Sequence, residues 1–369
     1  MRILQIAPYF SPHIGGIESH VMELSNHLSR AGHEVAILTT NVPRSKKMER
    51  SGNIEIIRFE APFRPLGNPI AIGLLKGLLT KKDFDIVHCH DEHAFTSNLA
   101  AMVHAMHDQR LVISCHGRLT YVTPFERFVL RIYERTLMKA TLRSAEAVIC
   151  LSPSDRDLLT AIGVRGDIIH IIPNAINLPQ RVQLQSRASD LKVVLCVSQL
   201  LKRKGIETLV DAFLEVHRAD KKAKLVVIGE GERRAELEKR VRQSGLEGAI
   251  IFRGRVSKEE LERAYAGCDV FVLPSFAEGL PTVILEAMAR ERPVVATDIP
   301  GIRDYFRETA VLVPPGDSRK LAEAIIELLD DEKLRRMFGR KGRELVERMF
   351  TWDIVASKII DLYEQTLGH

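Results

Sequence analysis

Short apolar runs rich in β-branched residues alternate with amphipathic segments along most of the chain. The first unit consists of the run 3–7, the helical pattern 17–31 with Gly32 as its C-cap, and the run 35–39. Apolar runs of this length are typical of strands buried on both faces of a parallel sheet, and the segments between them fit crossover helices. The pattern therefore predicts an α/β fold.

The alternation continues in two series that are separated by a polar stretch. In the first series the further predicted strands are 54–59, 86–88, 111–114, 147–151 and 168–172. In the second series they are 193–198, 225–229, 250–252, 270–273, 294–296 and 311–313. The polar stretch is rich in Gln, Arg and Ser and breaks the apolar periodicity, as interdomain linkers do. We therefore predict an N-terminal domain over 1–178, a linker over 179–191, a C-terminal domain over 192–351 and a last amphipathic helix over 352–369.

Composition and charge indicate the size of the protein, its possible ligands and its cellular compartment. A chain of 369 residues with 45% apolar content is long enough for two hydrophobic cores. The net charge of +5 suits an anionic substrate or membrane surface but decides nothing alone. The five cysteines are far apart without a CxxC pair, so we expect small buried side chains in a reducing compartment. Since the chain shows no signal-peptide pattern and no apolar run of membrane-spanning length, we expect a cytoplasmic protein.

The segment 269–295 carries the most specific chemistry. It reads DVFVLPSFAEGLPTVILEAMARERPVV, which predicts a strand, a loop that contains Glu278, and a helix that has Pro281 in its first turn and carries Glu286. A helix N-terminus at the carboxyl end of a parallel strand favours a bound phosphate, and the two carboxylates can accept hydrogen bonds from hydroxyls. This combination indicates a sugar nucleotide. The simpler interpretation is that Glu278 caps the helix and Glu286 faces water.

The LPS, EG-P and E-A-M-A elements of this segment together resemble the Glu-x7-Glu signature of the retaining glycosyltransferase family four. The resemblance implies the GT-B fold, in which two Rossmann-like, doubly wound parallel-sheet domains face each other across a cleft and the last helix packs back on the N-terminal domain. It also implies a metal-independent enzyme. Such an enzyme moves a hexose-type sugar from a nucleoside-diphosphate donor to a hydroxyl of a glycan, a lipid-linked or a small-molecule acceptor, and it needs no cofactor.

The resemblance also assigns the donor side of the site. Glu286 would hold the ribose and Glu278 the donor sugar, and Lys204 matches the phosphate-binding lysine. Gln199 stands where relatives have an arginine, so either Arg203 or the neighbouring Lys202 supplies that charge, or donor handling is altered. The implied donor-binding set is Gly15, Gly16, Gln199, Arg203, Lys204, Val256, Glu278, Gly279, Leu280, Pro281 and Glu286.

Two parts of this set would act through their backbone. Gly15 and Gly16 open a predicted helix, where glycines let N–H groups approach a phosphate, and a tight strand-to-helix turn is the alternative. Near Val256, which follows another predicted strand, the resemblance implies that the backbone meets the nucleobase.

The first domain supplies the remaining implied residues. His116 follows the predicted strand 111–114, and the resemblance places it near the transferred sugar. It places Asp91, Glu92 and Arg118 on the acceptor side. The implied catalytic residues are His116, Lys204 and Glu278.

A metal site is the alternative for the sequence VHCHDEH. It holds His88, His90 and His93 beside two carboxylates, and both residue types bind metals. Alternation along a strand puts His88 and His90 on one side and leaves the others on a loop. Because the family also needs no metal, we predict none.

A basic helix is predicted over 125–143, where Arg or Lys recurs about every fourth position among apolar residues. A solvated helix face is the favoured interpretation, and peripheral contact with an anionic membrane is the alternative. Nucleic acid is not expected as a partner, since the chain has no aromatic-rich basic sheet and no helix-turn-helix pattern.

Two other functional classes fit the same fold. A GT-B epimerase or phosphorylase would share both sheets, but the epimerase needs no acceptor and the phosphorylase depends on pyridoxal phosphate. A non-catalytic sugar-nucleotide-binding protein would bind a donor without turning it over, and Gln199 keeps this class open.

Overall fold

The structure is a computed structural model that describes residues 1–104, 106, 109–117, 124–180 and 190–368. It divides into two compact units, Met1–Ala175 with Trp352–His369, and Ile176–Thr351. Most of the predicted linker falls on 181–189, outside the described residues. Within the described part of the chain, no helix combines the length and the apolar character needed to span a bilayer.

The first unit contains an eight-stranded sheet with the order β3-β4-β2-β1-β5-β6-β7-β8. Its strands are β1 Arg2–Ala7, β2 Glu34–Thr40, β3 Met48–Ser51, β4 Ile54–Phe59, β5 Ile86–His90, β6 Arg110–Ser114, β7 Ala147–Cys150 and β8 Ile169–Ile171. All neighbours are parallel except β3, which pairs antiparallel with β4. β3 was not predicted, because an edge strand whose residues are mostly exposed to solvent has no apolar run to mark it.

Helices cover both faces of this sheet. They are α1 Gly16–Arg30, α2 Gly73–Thr80, α3 Phe95–His104, α4 Pro124–Tyr133, α5 Lys139–Arg143, α6 Pro153–Ala161 and α14 Trp352–Leu367. A π-helical turn over Glu134–Met138 joins α4 to α5, so the predicted basic helix is a single helical stretch with one irregular turn. The last helix, α14, packs against α1, and Trp352 and Val355 share a buried cluster with Val21 and Leu24.

The second unit contains six parallel strands in the order β11-β10-β9-β12-β13-β14. The strands are β9 Lys192–Val197, β10 Ala223–Ile228, β11 Ile250–Gly254, β12 Val270–Leu273, β13 Val294–Thr297 and β14 Val311–Val313. The helices are α7 Ile206–Ala219, α8 Arg234–Gln243, α9 Lys258–Gly267, α10 Thr282–Met288, α11 Pro300–Phe306, α12 Ser318–Asp330 and α13 Glu332–Met349. β12 and β13 are buried along their whole length, because their mostly apolar side chains pack between helices on the two faces of the sheet.

Each sheet reverses its strand order at one point. In the first unit the chain winds outward from β1 to β2, and β5 then pairs with the free side of β1. In the second unit the reversal lies at β9, which pairs with β10 on one side and with β12 on the other. Open α/β sheets bind ligands outside the carboxyl ends of the strands at such reversal points. The two loops after β1 and β5, and the two after β9 and β12, are therefore the places to look for a site.

Candidate functional site

A buried carboxylate with two donors lies at the reversal point of the second unit. Lys204 Nζ donates a hydrogen bond to Glu278 Oε1 at 2.6 Å, and Ser275 Oγ donates to the same oxygen at 2.6 Å. The Glu278 side chain is only 8% exposed. Lys204 follows β9 and Glu278 follows β12, so residues 74 positions apart in sequence meet because their strands are neighbours.

Glycines allow the two loops to approach each other. Gly205 has φ 64° and stands where a methyl group would collide with the carbonyl oxygen of Pro274. On the other side of the β12 loop, a methyl group at Gly301 would collide with the carbonyl oxygen of Gly279. The backbone N–H of Phe276 donates to the carbonyl of Arg203 at 2.8 Å. The loop that carries Glu278 is thus held by backbone contacts from two directions.

Arg203 is the second cation at this carboxylate. Its Nη1 lies 3.9 Å from Glu278 Oε2, whereas Lys202 and Gln199 are exposed. Of the two residues that the sequence offers in place of the family arginine, the structure therefore brings Arg203 to the site. Its side chain is 36% exposed, so it keeps the freedom to turn toward an anionic ligand.

Glu286 lies on α10 and has polar partners of its own. Tyr265 Oη donates to Glu286 Oε2 at 2.7 Å, and Arg290 Nη1 donates to the backbone carbonyl of Glu286 at 2.6 Å. Burial raises the pKa of Glu286 above its ordinary value. The interpretation of Glu286 as a solvent-facing residue is therefore wrong, and Glu278 bonds Lys204 and Ser275 rather than capping α10.

One boundary in this segment differs from the prediction. Pro281 is the N-cap of α10 and has extended backbone angles, φ −74° and ψ 115°, so the helix begins one residue later at Thr282. Leu280 beside it is buried, and the carbonyl of Gly279 packs on Gly301. Val256 follows β11, which lies two strands from β9, and its side chain is half-buried.

In the first unit, the loop after β1 ends at two glycines. Gly15 is the N-cap of α1, and a methyl group there would collide with the Glu18 carboxylate, which also contacts His13 Nδ1 at 2.7 Å. A methyl group at Gly16 would meet no atom within 4 Å among the described residues. The backbone at the start of α1 is therefore open to a ligand at Gly16.

The loops after β5 and β6 bring three predicted residues together. The backbone N–H of His116 donates to Glu92 Oε2 at 3.2 Å, and burial raises the pKa of Glu92 to about 7. Asp91 adopts φ 78°, a conformation that is uncommon outside glycine and that recurs at functional sites, and its Oδ1 accepts from the N–H of His93 at 2.9 Å. Arg118 lies outside the described residues.

A cavity of about 250 Å³ adjoins this cluster. Asp91 and His93 form its polar wall, and Tyr9, Leu66 and Tyr133 contribute to its mostly apolar remainder. Such a combination accommodates a ligand that has a hydroxyl at one end and an apolar part at the other.

Several histidines lie close to one another near the loops after β5 and β6. The rings of His88 and His90 lie on one side of β5 with centroids 4.3 Å apart, as strand alternation requires. Nitrogens of His20, His90 and His116 lie within 4.8 Å of one another. The sequence analysis missed His20, although its position four residues before Leu24 on the buried stripe of α1 was a readable signal.

Comparison with known proteins agrees with the two-sheet fold. Residues 14–180 match the family model described as Glycosyltransferase Family 4, and residues 181–345 match Glycosyl transferases group 1. The phosphatidyl-myo-inositol mannosyltransferase of Mycobacterium leprae is 28% identical over 99% of this chain and 96% of its own length. Sucrose-phosphate synthase from Thermosynechococcus elongatus superimposes with a TM-score of 0.83 at 27% identity, over 100% of this chain and 99% of that one. The Anabaena protein HepE in complex with UDP-glucose has the same fold, with a TM-score of 0.78 at 20% identity over 99% of this chain and 100% of that one.

Proposed function

Because this chain belongs to glycosyltransferase family four, the glycosyl transferases group 1, we propose that it transfers a hexose-type sugar from a nucleoside-diphosphate sugar to an acceptor hydroxyl with retention of anomeric configuration. The observation that carries the proposal is the Lys204–Glu278–Ser275 cluster at the reversal point of the second sheet. It sets a positive charge for a diphosphate beside a carboxylate for sugar hydroxyls, and the HepE complex with UDP-glucose supports a donor of this class.

In this proposal the protein acts on the donor through electrostatics. Lys204 and Arg203 stabilise the diphosphate as it leaves, Glu286 binds the ribose and Glu278 binds the donor sugar. In the first unit, the open backbone at Gly16 contributes on the diphosphate side, and His116 contacts the transferred sugar. The reaction passes through an oxocarbenium-like state in which the donor phosphate takes the proton of the acceptor hydroxyl. This route uses no metal ion and no cofactor.

The acceptor is proposed to carry an apolar part. The cavity beside Asp91 and His93 has mostly apolar walls, which suits a lipid-linked alcohol better than a glycan alone. The mycobacterial relative, named for phosphatidyl-myo-inositol, supports the same class. Asp91 would hold the acceptor hydroxyl, because it is the carboxylate on the wall of this cavity, whereas Glu92 is bound to the His116 backbone.

Peripheral membrane contact through α4 follows from such an acceptor. Phe128 and Ile132 are 62% and 50% exposed, and the exposed Arg131 and Arg135 lie on the same stretch of helix. We expect the wild type to cosediment with vesicles that contain anionic lipid and not with neutral ones. The double variant R131A/R135A should bind the anionic vesicles about thirtyfold more weakly, since each of the two basic residues near such a surface contributes about 1 kcal/mol.

The matched control removes the same charge from another exposed helix. R336A/R340A changes two arginines four residues apart on α13, far in sequence from the cavity. Equal losses for both double variants would mean that net charge alone attracts the vesicles and that α4 has no special part.

Donor binding is tested by thermal-shift titration against UDP-, GDP- and ADP-sugars. We expect one donor to raise the melting temperature of the wild type and E286A to abolish that shift, because Glu286 supplies the ribose contact. The control is E262A, which removes a neighbouring carboxylate that bonds Arg290 and has no proposed contact with the donor, so it should keep the donor shift. A wild type that responds to none of the donors would contradict the transferase proposal.

A further inference from the structure

A continuous set of hydrogen bonds leads from the last helix to His116 inside the first unit. Tyr363 Oη lies 2.6 Å from His88 Nδ1 and 3.4 Å from Gln5 Nε2. Gln5 Oε1 lies 2.6 Å from His90 Nε2, and His90 Nδ1 lies 3.1 Å from His116 Nε2. Gln5, His88, His90 and Tyr363 are fully buried, so water does not compete for these bonds.

The charge state of the rings limits where the protons in this set can lie. Burial lowers the pKa of His88 to about 3 and holds the pKa values of His90 and His116 well below 6.5. Each ring is therefore neutral at neutral pH and carries a single N–H. A nitrogen that faces an acceptor must hold that proton, and the other nitrogen of the same ring then accepts.

The amide of Gln5 sets the direction of the whole series. Its carbonyl oxygen accepts from His90 Nε2–H, so His90 Nδ1 has a lone pair and accepts from His116 Nε2–H. Its NH₂ group donates to Tyr363 Oη, which in turn donates to His88 Nδ1. His88 Nε2–H then donates to Ser114 Oγ at 2.7 Å. Every donor in the series meets one acceptor.

We propose that Gln5, His90 and Tyr363 are positioning residues that fix His116 as the Nε2–H tautomer, so that its Nδ1 is a hydrogen-bond acceptor for a substrate hydroxyl. The tautomer follows from the orientation of the Gln5 amide in the buried series, whereas its effect on catalysis rests on the proposed role of His116 at the transferred sugar. Through this series of hydrogen bonds, Tyr363 on α14 affects the chemistry of His116, which lies in the loop after β6.

The tautomer is read directly by nitrogen-15 NMR of the histidine rings in the full-length protein, with H116Q to assign the signal. We expect a single Nε2–H form of His116 in the wild type. Y363F keeps the shape of the side chain and removes the hydroxyl that orients Gln5. The amide can then turn over, and both tautomers of His116 should appear. T366V is the control. Thr366 lies on the same helix, and its hydroxyl donates to the Tyr363 backbone carbonyl rather than to the Tyr363 side chain.

A second pair of variants separates positioning from general destabilisation. Q5E keeps an acceptor for His90 Nε2–H and should retain the wild-type tautomer, whereas Q5M removes it and should give the mixture. With a donor identified, Y363F and Q5M should lower kcat about fivefold, the equivalent of one lost hydrogen bond, while Q5E recovers most of it. Tautomers that behave as expected in a protein without transferase activity would refute the proposed function and leave the positioning series intact.

Three results would overturn the positioning proposal. Two of them are an Nδ1–H form of His116 in the wild type and a His116 tautomer that Y363F leaves unchanged. The other is a metal ion that binds in stoichiometric amount and is lost in H20A. A metal held by His90 Nδ1 and His116 Nε2 needs a lone pair on both nitrogens, which leaves no N–H to form the hydrogen bond between them.

Discussion

Replacing Lys204 by methionine is expected to lower kcat about a hundredfold. The Lys204 side chain is only 14% exposed, so its charge acts on the departing diphosphate with little screening by water. Methionine keeps a similar stem and removes the charge. The measurement is release of nucleoside diphosphate from the donor identified by thermal shift, at saturating donor concentration, so that the change is assigned to kcat rather than to KM.

The matched control is K202M in the same loop. Lys202 is exposed and precedes Lys204 by two residues, so its loss changes the net charge equally without touching Glu278. We expect this variant to keep kcat within about twofold. Because K204M leaves the buried Glu278 carboxylate with Ser275 and Arg203 alone, the melting temperature of each variant is measured as well. Equal losses of kcat in K202M and K204M would show that the position of Lys204 has no special role.

The sequence predicted the sheets well because fully buried strands leave a strong apolar signal. β4, β12 and β14 have the predicted bounds, and the other predicted strands differ by one or two residues at their ends. β3, Met48–Ser51, could not be predicted because it lies at the sheet edge. A strand there pairs on one side only and faces solvent, so its side chains can be polar. Boundaries at loops also shifted, as at Pro281, because proline suits both the N-cap and the first helical turn.

The site residues, like the strands, are predictable from the sequence only where the signal lies within one short segment. Glu278 and Glu286 are readable because they share one strand–loop–helix segment. The pairing of Lys204 with Glu278 and of Tyr265 with Glu286 is not, since Lys204 and Tyr265 come from other elements that only the fold brings near. Gln5 and Tyr363, 358 residues apart, look like an ordinary strand residue and an ordinary helix residue in the sequence. Their importance depends on the pairing of β1 with β5 and on the packing of α14.

Lowering the pH from 7 to 5 is expected to reduce the free energy of unfolding of the first unit by on the order of 5 kcal/mol. Burial lowers the pKa of His20 to about 4 and of His88 to about 3, and it holds those of His90 and His116 well below 6.5. Below pH 6.5 the unfolded chain binds protons on these four rings and the folded unit does not. Stability is therefore lost as the pH falls from 6.5 toward 4.

Two neighbouring groups titrate differently from these four rings. Burial raises the pKa of Glu92 from 4.5 to about 7, so the folded unit takes up one proton in the same interval and offsets about one histidine. For His93, burial lowers the pKa but the carboxylates of Glu92 and Asp91 outweigh it and raise the value to about 9. His93 is therefore protonated in both states below pH 6.5 and contributes little to the change between pH 6 and pH 5.

Urea unfolding at pH 5, 6 and 7 measures the loss, with the fluorescence of Trp352 as the probe. Trp352 is the single tryptophan of the chain and is buried in the core of the first unit, so its signal reports that unit. H88Q should reduce the pH-dependent loss by about 2 kcal/mol, because one histidine no longer titrates in the unfolded chain, whatever it does to stability at pH 7. H217Q, on α7 of the second unit, should leave the dependence unchanged. A free energy of unfolding that stays constant from pH 7 to pH 5 would mean that these rings are not held neutral, and the determinate proton positions around His116 would lose their basis.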